Sequence, residues 1–251
     1  MSLAVLGVIP ARLQSTRLPR KVLREIAGRP MVVRVWEAAR RATHLNDVLV
    51  ATDSDEIVEV CHRFHVPAVL TDAGHPSGTD RVWEVAQGRD ADVYVNIQGD
   101  EPLLTPGHIG ALVEPFIRLP DTQVTTLRIR ATPAEAASPT VNKVVCNADD
   151  SALYFSKYPI PYDRDGVGVA RYKHIGLYAY RKVALEQFHR LPPSPLERAE
   201  GLEQLRFLEA DIPILALETQ EPTIGVDTEE DLLAAEAFLL TSERASSHRA
   251  Y

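Results

Sequence analysis

Only two cysteines, Cys61 and Cys146, occur among the 251 residues. They are too far apart for a local metal motif, and no Cys/His cluster has zinc spacing. Cys61 sits in an apolar helical pattern, so both thiols read as reduced, structural and cytosolic. Long apolar runs are missing as well: none approaches the roughly 20 residues that span a bilayer. The opening "MSLAVLGVIPAR" has no basic segment ahead of its apolar run, so it does not read as a signal peptide, and a cytoplasmic location is expected. There is no G-x-S-x-G and no local Ser/His/Asp signature, which disfavours hydrolysis by a triad. A P-loop and a G-x-G-x-x-G fingerprint are both excluded for the opening loop, because no glycine lies between Gly7 and Gly28. Excess positive charge is absent too. A formal net charge of -8 opposes long nucleic acids as partners.

Hydrophobic residues make up 45% and charged residues 25%, ordinary values for a globular chain able to bury one sizeable core. Short apolar runs alternate with helical patterns. "LAVLGVI", "DVLVAT", "PAVLT" and "DVYVNI" read as strands; "PMVVRVWEAARRAT", "SDEIVEVCHRFH" and "GTDRVWEVAQ" read as helices, with Asp53 or Ser54 as a cap of the second. Such alternation predicts an α/β fold with a mostly parallel sheet sandwiched by helices, and ligands then sit at the carboxyl ends of the strands. After about residue 122 the alternation breaks. Strands "QVTTLRIR" and "NKVVCN" precede an aromatic, turn-rich stretch, then helices around 182–190 and 197–209, strand "PILALE", and a last amphipathic helix from about 228. The polar tail "SERASSHRAY" is expected to fray. Residues 1–251 read as a single domain, with 123–190 as an inserted β-rich subregion.

Against the acidic background, the opening loop "PARLQSTRLPRKVLR" stands out. It carries Arg12, Arg17, Arg20, Lys21 and Arg24 and no acid. Cations converging after a strand, beside small residues such as Ala11, Ser15 and Thr16, suit a polyphosphate; a solvated basic loop is the alternative. In "NIQGDEP", Asp100 and Glu101 follow a glycine where a carboxylate can project into a cleft. One or two carboxylates plus substrate phosphates are what Mg2+ prefers, although a turn or helix cap explains the same residues. Asp227 in "IGVDTEEDL" is a second candidate carboxylate, unless it or Thr228 caps the last helix. "HPSGTDR" offers Ser77, Gly78, Thr79 and Arg81 to a base or ribose, or a plain helix cap at Ser77 or Thr79. His75 alone reads as a surface or packing residue.

Together and in this order, "IPARLQSTRLPRK", "ATDSDEI", "HPSGTDR", "NIQGDEP", "ALYFSKYPIPY", "HIGLYAY", "GLEQLR" and "GVDTEEDL" resemble the 3-deoxy-manno-octulosonate (Kdo) cytidylyltransferases, over roughly residues 4 to 240. The resemblance implies a Rossmann-like nucleotidyltransferase fold, the reaction of CTP and Kdo to CMP-Kdo and diphosphate for lipopolysaccharide synthesis, Mg2+, and a homodimer. It implies CTP held by Ala11, Arg12, Ser15, Arg17, Lys21, Ser77, Gly78, Arg81 and Asp100, with Asp100 and Asp227 as metal ligands. Arg12 and Lys21 join those carboxylates as the catalytic set. Gln98, Lys157, His174, Tyr178, Glu203 and Gln204 fall on the sugar side, with 123–190 as a sugar-binding and dimerisation subregion. One position departs from the pattern: the family reads Tyr-Phe-Ser-Arg, and this chain has Tyr154-Phe155-Ser156-Lys157, which puts a point charge in place of a bidentate fork and opens the choice between Kdo and a close analogue. CMP-sialic acid synthetase is the nearest alternative, disfavoured by "YFS" and "LEQLR". A non-catalytic nucleotide-sugar sensor is the alternative of another class, disfavoured by intact Lys21, Asp100 and Asp227. Dense aromatics over residues 150–180 also predict an interface.

Overall fold

The computed structural model describes residues 3–15 and 17–248, with side chains through Ser242. In chain order the elements are β1 (Val5–Ala11), a 3-10 turn (Lys21–Leu23), β2 (Glu25–Ile26), β3 (Arg29–Pro30), α1 (Met31–Ala39), β4 (Asp47–Thr52), α2 (Asp55–Arg63), β5 (Ala68–Leu70), α3 (Gly78–Gly88) and β6 (Val93–Asn96). Then come α4 (Pro106–Arg118), β7 (Val124–Arg130), α5 (Pro133–Ala137), β8 (Lys143–Cys146), β9 (Ala152–Ser156), β10 (Tyr172–Arg181), α6 (Lys182–Arg190), α7 (Pro195–Glu200), α8 (Leu205–Glu209), β11 (Ile214–Glu218) and α9 (Glu229–His248). Two compact units emerge. One comprises residues 5–90, 96–106 and 222–251; the other comprises 1–4, 91–95 and 107–221.

In the first unit β1, β4 and β5 lie side by side in parallel. β1 is almost wholly buried, as an apolar strand covered on both faces must be. α1 and α3 pack on β1 and β4, and α2 packs on β4 and β5. α1 begins directly after Pro30 and buries Met31, Val32, Val35 and Ala39, a helical stripe. Ahead of it lies a two-strand hairpin that the sequence reading did not contain. Its turn residues Ala27 and Gly28 both have positive φ (47° and 75°), the conformation a two-residue hairpin turn demands. Cys61 is buried and Cys146 half-buried, and both are free thiols.

The second unit is mixed. β10 pairs antiparallel with β7 and with β8, β8 pairs antiparallel with β9, and β11 pairs parallel with β7. A bulge between Ile175 and Tyr178 shifts the β10 register. The helix expected over 197–209 is two helices, because Gly201 adopts a left-handed φ of 64° and closes α7. The tail expected to fray continues as helix to His248, and residues 249–251 lie outside the described residues. Among the described residues no helix is long and apolar enough to cross a membrane.

Candidate active site

Three segments of the first unit carry the expected phosphate and metal residues, and one buried cluster pins all three. Leu18 from the basic loop, Leu103 just after Asp100–Glu101, and Val226 just before Asp227 meet Ile26, Met31, Leu232 and Ala235. Each anchor is one to three residues from a charged group, so burying the anchors fixes where the charges emerge. The turn bearing Asp100 is also held close to the end of β1. A Cβ built on Gly99 would lie 2.9 Å from the Pro10 carbonyl oxygen, so a side chain there collides with backbone.

At the centre, the Lys21 Nζ donates to Asp100 Oδ2 at 2.5 Å and to Asp227 Oδ1 at 2.9 Å. Burial lowers the pKa of this ammonium, but the charge and hydrogen bond of Asp100, followed by those of Asp227, outweigh burial, so the net shift is upward and Lys21 stays charged. Arg17 reaches the other Asp227 oxygen at 3.0 Å. The two acids are 127 positions apart, and a backbone bond ties their loops: the Val226 N–H donates to the Asp100 carbonyl at 2.9 Å. Asp227 is not the helix cap. Thr228 Oγ1 accepts from the Asp231 N–H at 3.2 Å, and the Asp231 carboxylate returns to the Thr228 N–H at 2.8 Å. That division of labour leaves the Asp227 carboxylate for Lys21 and Arg17.

The remaining loop cations are partnered too. Arg24 binds Glu229 at 2.6 Å, Arg20 binds Glu56, and Arg12 donates to the His75 carbonyl at 3.1 Å, joining the basic loop to the "HPSG" loop. Arg12, Ser15 and Arg20 face Asp53–Glu56 across an open cleft of about 1090 Å3. Ala11 is buried as the last residue of β1, and Thr16 lies outside the described residues.

In the "HPSGTDR" segment Ser77 caps α3. Its oxygen accepts from the Asp80 N–H at 3.2 Å and its hydroxyl donates to Asp80 Oδ2 at 2.7 Å. Gly78 packs on Pro10, where a Cβ would meet the ring at 3.5 Å. Arg81, expected near the nucleoside, is fully buried; its guanidinium donates to Asp53 Oδ2 at 2.9 Å and to Thr71 Oγ1. It ties α3 to the ends of β4 and β5.

The second unit holds the other expected sugar-side residues. His174 lies between Phe155 and Tyr178, with ring centroids 5.1 and 5.3 Å away, and its Nε2 is 2.9 Å from Thr126 Oγ1. Burial pushes its pKa down to about 3, so the imidazole is neutral. Burial first, then the neighbouring charges of Tyr180 and Glu203, hold the Tyr178 phenol well above its usual range. Gln204 is buried, and its Nε2 has no hydrogen-bond partner among the described residues, a polar group in want of an acceptor. Lys157 is exposed after β9, with its N–H bonded to Glu200 Oε2 at 2.9 Å. Gln98 belongs to the first unit, in the turn before Asp100, where its carbonyl accepts from the Glu101 N–H at 3.1 Å.

Some roles differ from the sequence reading or were missed by it. Asp53, read as a possible cap of the second helix, holds Arg81 while Ser54 takes the cap position, and Thr223, not singled out, donates its hydroxyl to buried Glu101. Asn96, at the end of β6, is fully buried with neither amide atom partnered among the described residues. Buried acids and amides leave no periodic signature; for Asp53, the signal was its place directly after a strand.

Parallel strands whose carboxyl ends present an arginine-rich loop and two converging carboxylates define a nucleotide-binding α/β protein of the nucleotidyltransferase class. The chain matches the cytidylyltransferase family over residues 6–214. It is 57% identical over 244 residues to the 3-deoxy-manno-octulosonate cytidylyltransferase of Acidobacterium capsulatum, covering 97% of this chain and 99% of that protein. The Koribacter versatilis protein of the same name is 54% identical, covering 93% and 89%. Among solved structures, a CMP:2-keto-3-deoxy-manno-octonic acid synthetase complexed with CTP superposes with a TM-score of 0.92 at 41% identity, covering 95% of this chain and 99% of that one. A putative glucose-1-phosphate thymidylyltransferase from Bacillus anthracis shares the fold, with a TM-score of 0.69 at 17% identity. The chain belongs to the 3-deoxy-manno-octulosonate cytidylyltransferase family.

Proposed function

We propose that this chain activates Kdo, joining it to CTP to give CMP-Kdo and diphosphate. The observation that carries this reading is the meeting of Asp100 and Asp227 on Lys21, beside an arginine-rich loop, in a chain that belongs to this family. The chemistry needs no protein nucleophile. The anomeric hydroxyl oxygen of the sugar attacks the α-phosphorus, the bond from that phosphorus to the β-bridging oxygen breaks, diphosphate leaves, and the hydroxyl proton passes to solvent. What the protein supplies is alignment and fixed positive charge where negative charge develops. In this reading Lys21 and Arg17 bind the triphosphate and in doing so release the carboxylates they now neutralise.

Asp100 and Asp227 are the residues that would hold Mg2+. Supporting the fit, two hard oxygens already converge on one cationic atom, and Mg2+ is commonly held by two carboxylates with substrate phosphates completing its shell. Bound there, the ion would polarise phosphoryl oxygens and neutralise the departing diphosphate. A homodimer is part of the same proposal. Phe155, Tyr178 and Tyr180 are buried within the second unit, but Leu153, Tyr158, Tyr162 and Val167 of the 123–190 subregion are each more than 60% exposed, apolar surface that a partner could cover. A cytoplasmic site of action agrees with two free thiols. The test is diphosphate release from CTP with Kdo, with sialic acid and with Kdo analogues, with and without Mg2+. Release that requires both Kdo and Mg2+ supports the proposal; turnover of sialic acid in preference to Kdo overturns it. Light scattering at micromolar concentration checks the dimer, and a monomer mass sinks it.

A further inference from the structure

Asp227 lies at the end of a stretch, residues 222–227, with no helix or strand of its own. Such a segment does not by itself hold a carboxylate to within the few tenths of an ångström that metal chemistry needs. Its support comes from Glu101. That side chain is only 8% exposed, and its Oε2 accepts from the Thr223 hydroxyl. Its Oε1 lies 3.1 Å from where a Cβ on Gly225 would be, so the carboxylate sits against this part of the segment and a side chain there would require it to shift. The next link is the Val226 N–H donating to the Asp100 carbonyl, and Val226 is itself fully buried. Glu101, one residue along from Asp100, therefore bonds the segment at Thr223 and sits close to it at Gly225, two residues short of Asp227.

From this arrangement we infer that Glu101 is a positioning residue that sets Asp227 opposite Asp100, acting through Thr223 and Gly225. It does not itself ligate metal or substrate. The inference rests on the reading of Asp100 and Asp227 as metal ligands. A purely structural acid in this place would stabilise the fold and leave metal use alone, and the two roles separate in measurement.

Five variants decide it: Glu101→Ala, Glu101→Gln, Thr223→Val, Asp227→Asn and the Glu101→Ala/Asp227→Asn double. For each, the readouts are CTP affinity in EDTA by calorimetry, the rise in Tm when Mg2+ is added to the CTP-saturated chain, and the Mg2+ concentration giving half-maximal turnover. Glu101→Ala is expected to keep metal-free CTP affinity within about twofold. It should lose most of the Mg2+-dependent rise in Tm and need about tenfold more Mg2+. Glu101→Gln keeps an acceptor for Thr223 and should stay within about threefold of the parent. Thr223→Val, which removes the bond to Glu101 with little change of volume, should shift the Mg2+ requirement in the same direction by about threefold, and it serves if Glu101→Ala does not fold. In an Asp227→Asn background Glu101→Ala should add nothing to the loss of the Mg2+-dependent rise. A Glu101→Ala variant with lowered Tm but unchanged Mg2+ behaviour overturns the inference. So does a Glu101→Gln variant as impaired as Glu101→Ala, because that result marks Glu101 as a direct ligand. If the parent shows no Mg2+-dependent rise and no Mg2+-dependent turnover, the metal reading itself fails, and this inference with it.

Discussion

Asp227→Asn and Thr228→Ala, made side by side, should cost comparable stability but differ greatly in rate, although the residues are adjacent. Asp227 meets Lys21 at 2.9 Å and Arg17 at 3.0 Å, with its side chain 42% exposed. Ion pairs this exposed contribute about 0–1 kcal/mol each, and Lys21 keeps Asp100 at 2.5 Å after the substitution. The fold should therefore lose about 2 kcal/mol at most, or roughly 4–8 °C in Tm for a chain of this size. Turnover should fall far more, because a charge on the reacting centre is gone: on the order of 100- to 1000-fold, about 2.7–4 kcal/mol of barrier. Thr228→Ala removes the cap of α9, costing about 1 kcal/mol of stability and nothing in rate where the protein is folded. Diphosphate release at saturating CTP, Kdo and Mg2+, read beside calorimetric melting, separates the two. The reasoning is refuted if Asp227→Asn turns over within a few-fold of the parent, or if Thr228→Ala loses as much rate as it does.

Three further outcomes follow from other parts of the molecule. Lys157→Ala should weaken sugar use about ten- to a hundredfold, the loss of one charge-assisted bond of about 1.5–3 kcal/mol to the sugar carboxylate, and leave CTP affinity unchanged; equal saturation curves for the two proteins assign Lys157 to plain surface. Arg81→Met should destabilise by about 3–5 kcal/mol because it strands Asp53 beside a fully buried site, so a urea midpoint equal to the parent's contradicts the buried pair. His174 has a folded pKa of about 3 against an ordinary 6.5, so the unfolded chain binds the extra proton between those values. Stability from this group is complete above pH 6.5 and declines as pH falls toward 3, by at most about 1.4 kcal/mol per pH unit; His174→Gln should flatten that part of the urea-stability profile, and superimposable profiles would refute it.

The strand–helix alternation was legible because parallel strands buried on both faces are continuous apolar runs, as β1 and β4 are. The charged loop and the motifs "ATDSD" and "NIQGDEP" were legible for a related reason: polar clusters directly after such runs stand at strand ends. Composition could not say which of two adjacent polar residues caps a helix. Both Asp227 and Thr228 are competent, and only the path of the chain into α9 gives the cap to Thr228. Arg81 misled in the opposite sense, since an arginine in a loop-to-helix motif reads as exposed, and it is buried here because Asp53 waits at the end of β4. The break at Gly201 did have a visible signal, a glycine followed directly by Leu202, and a helix C-cap reading of "AEGL" would have found it.

The pairing of the opening loop has a thermodynamic consequence. Arg17, Arg20, Lys21 and Arg24 each already hold a carboxylate, so an incoming polyanion does not meet bare charge. On the proposed function, binding would be an exchange in which phosphate oxygens take cations from protein acids, and the acids set free at Asp100 and Asp227 would become available to a divalent ion. The number of opposite charges in contact changes little across that exchange, so affinity for CTP should depend only weakly on ionic strength, less than five cations would suggest. A single phosphate cannot displace several linked pairs at once, whereas a triphosphate can. Discrimination between inorganic phosphate and a nucleoside triphosphate thus begins in the loop, before any contact with the base.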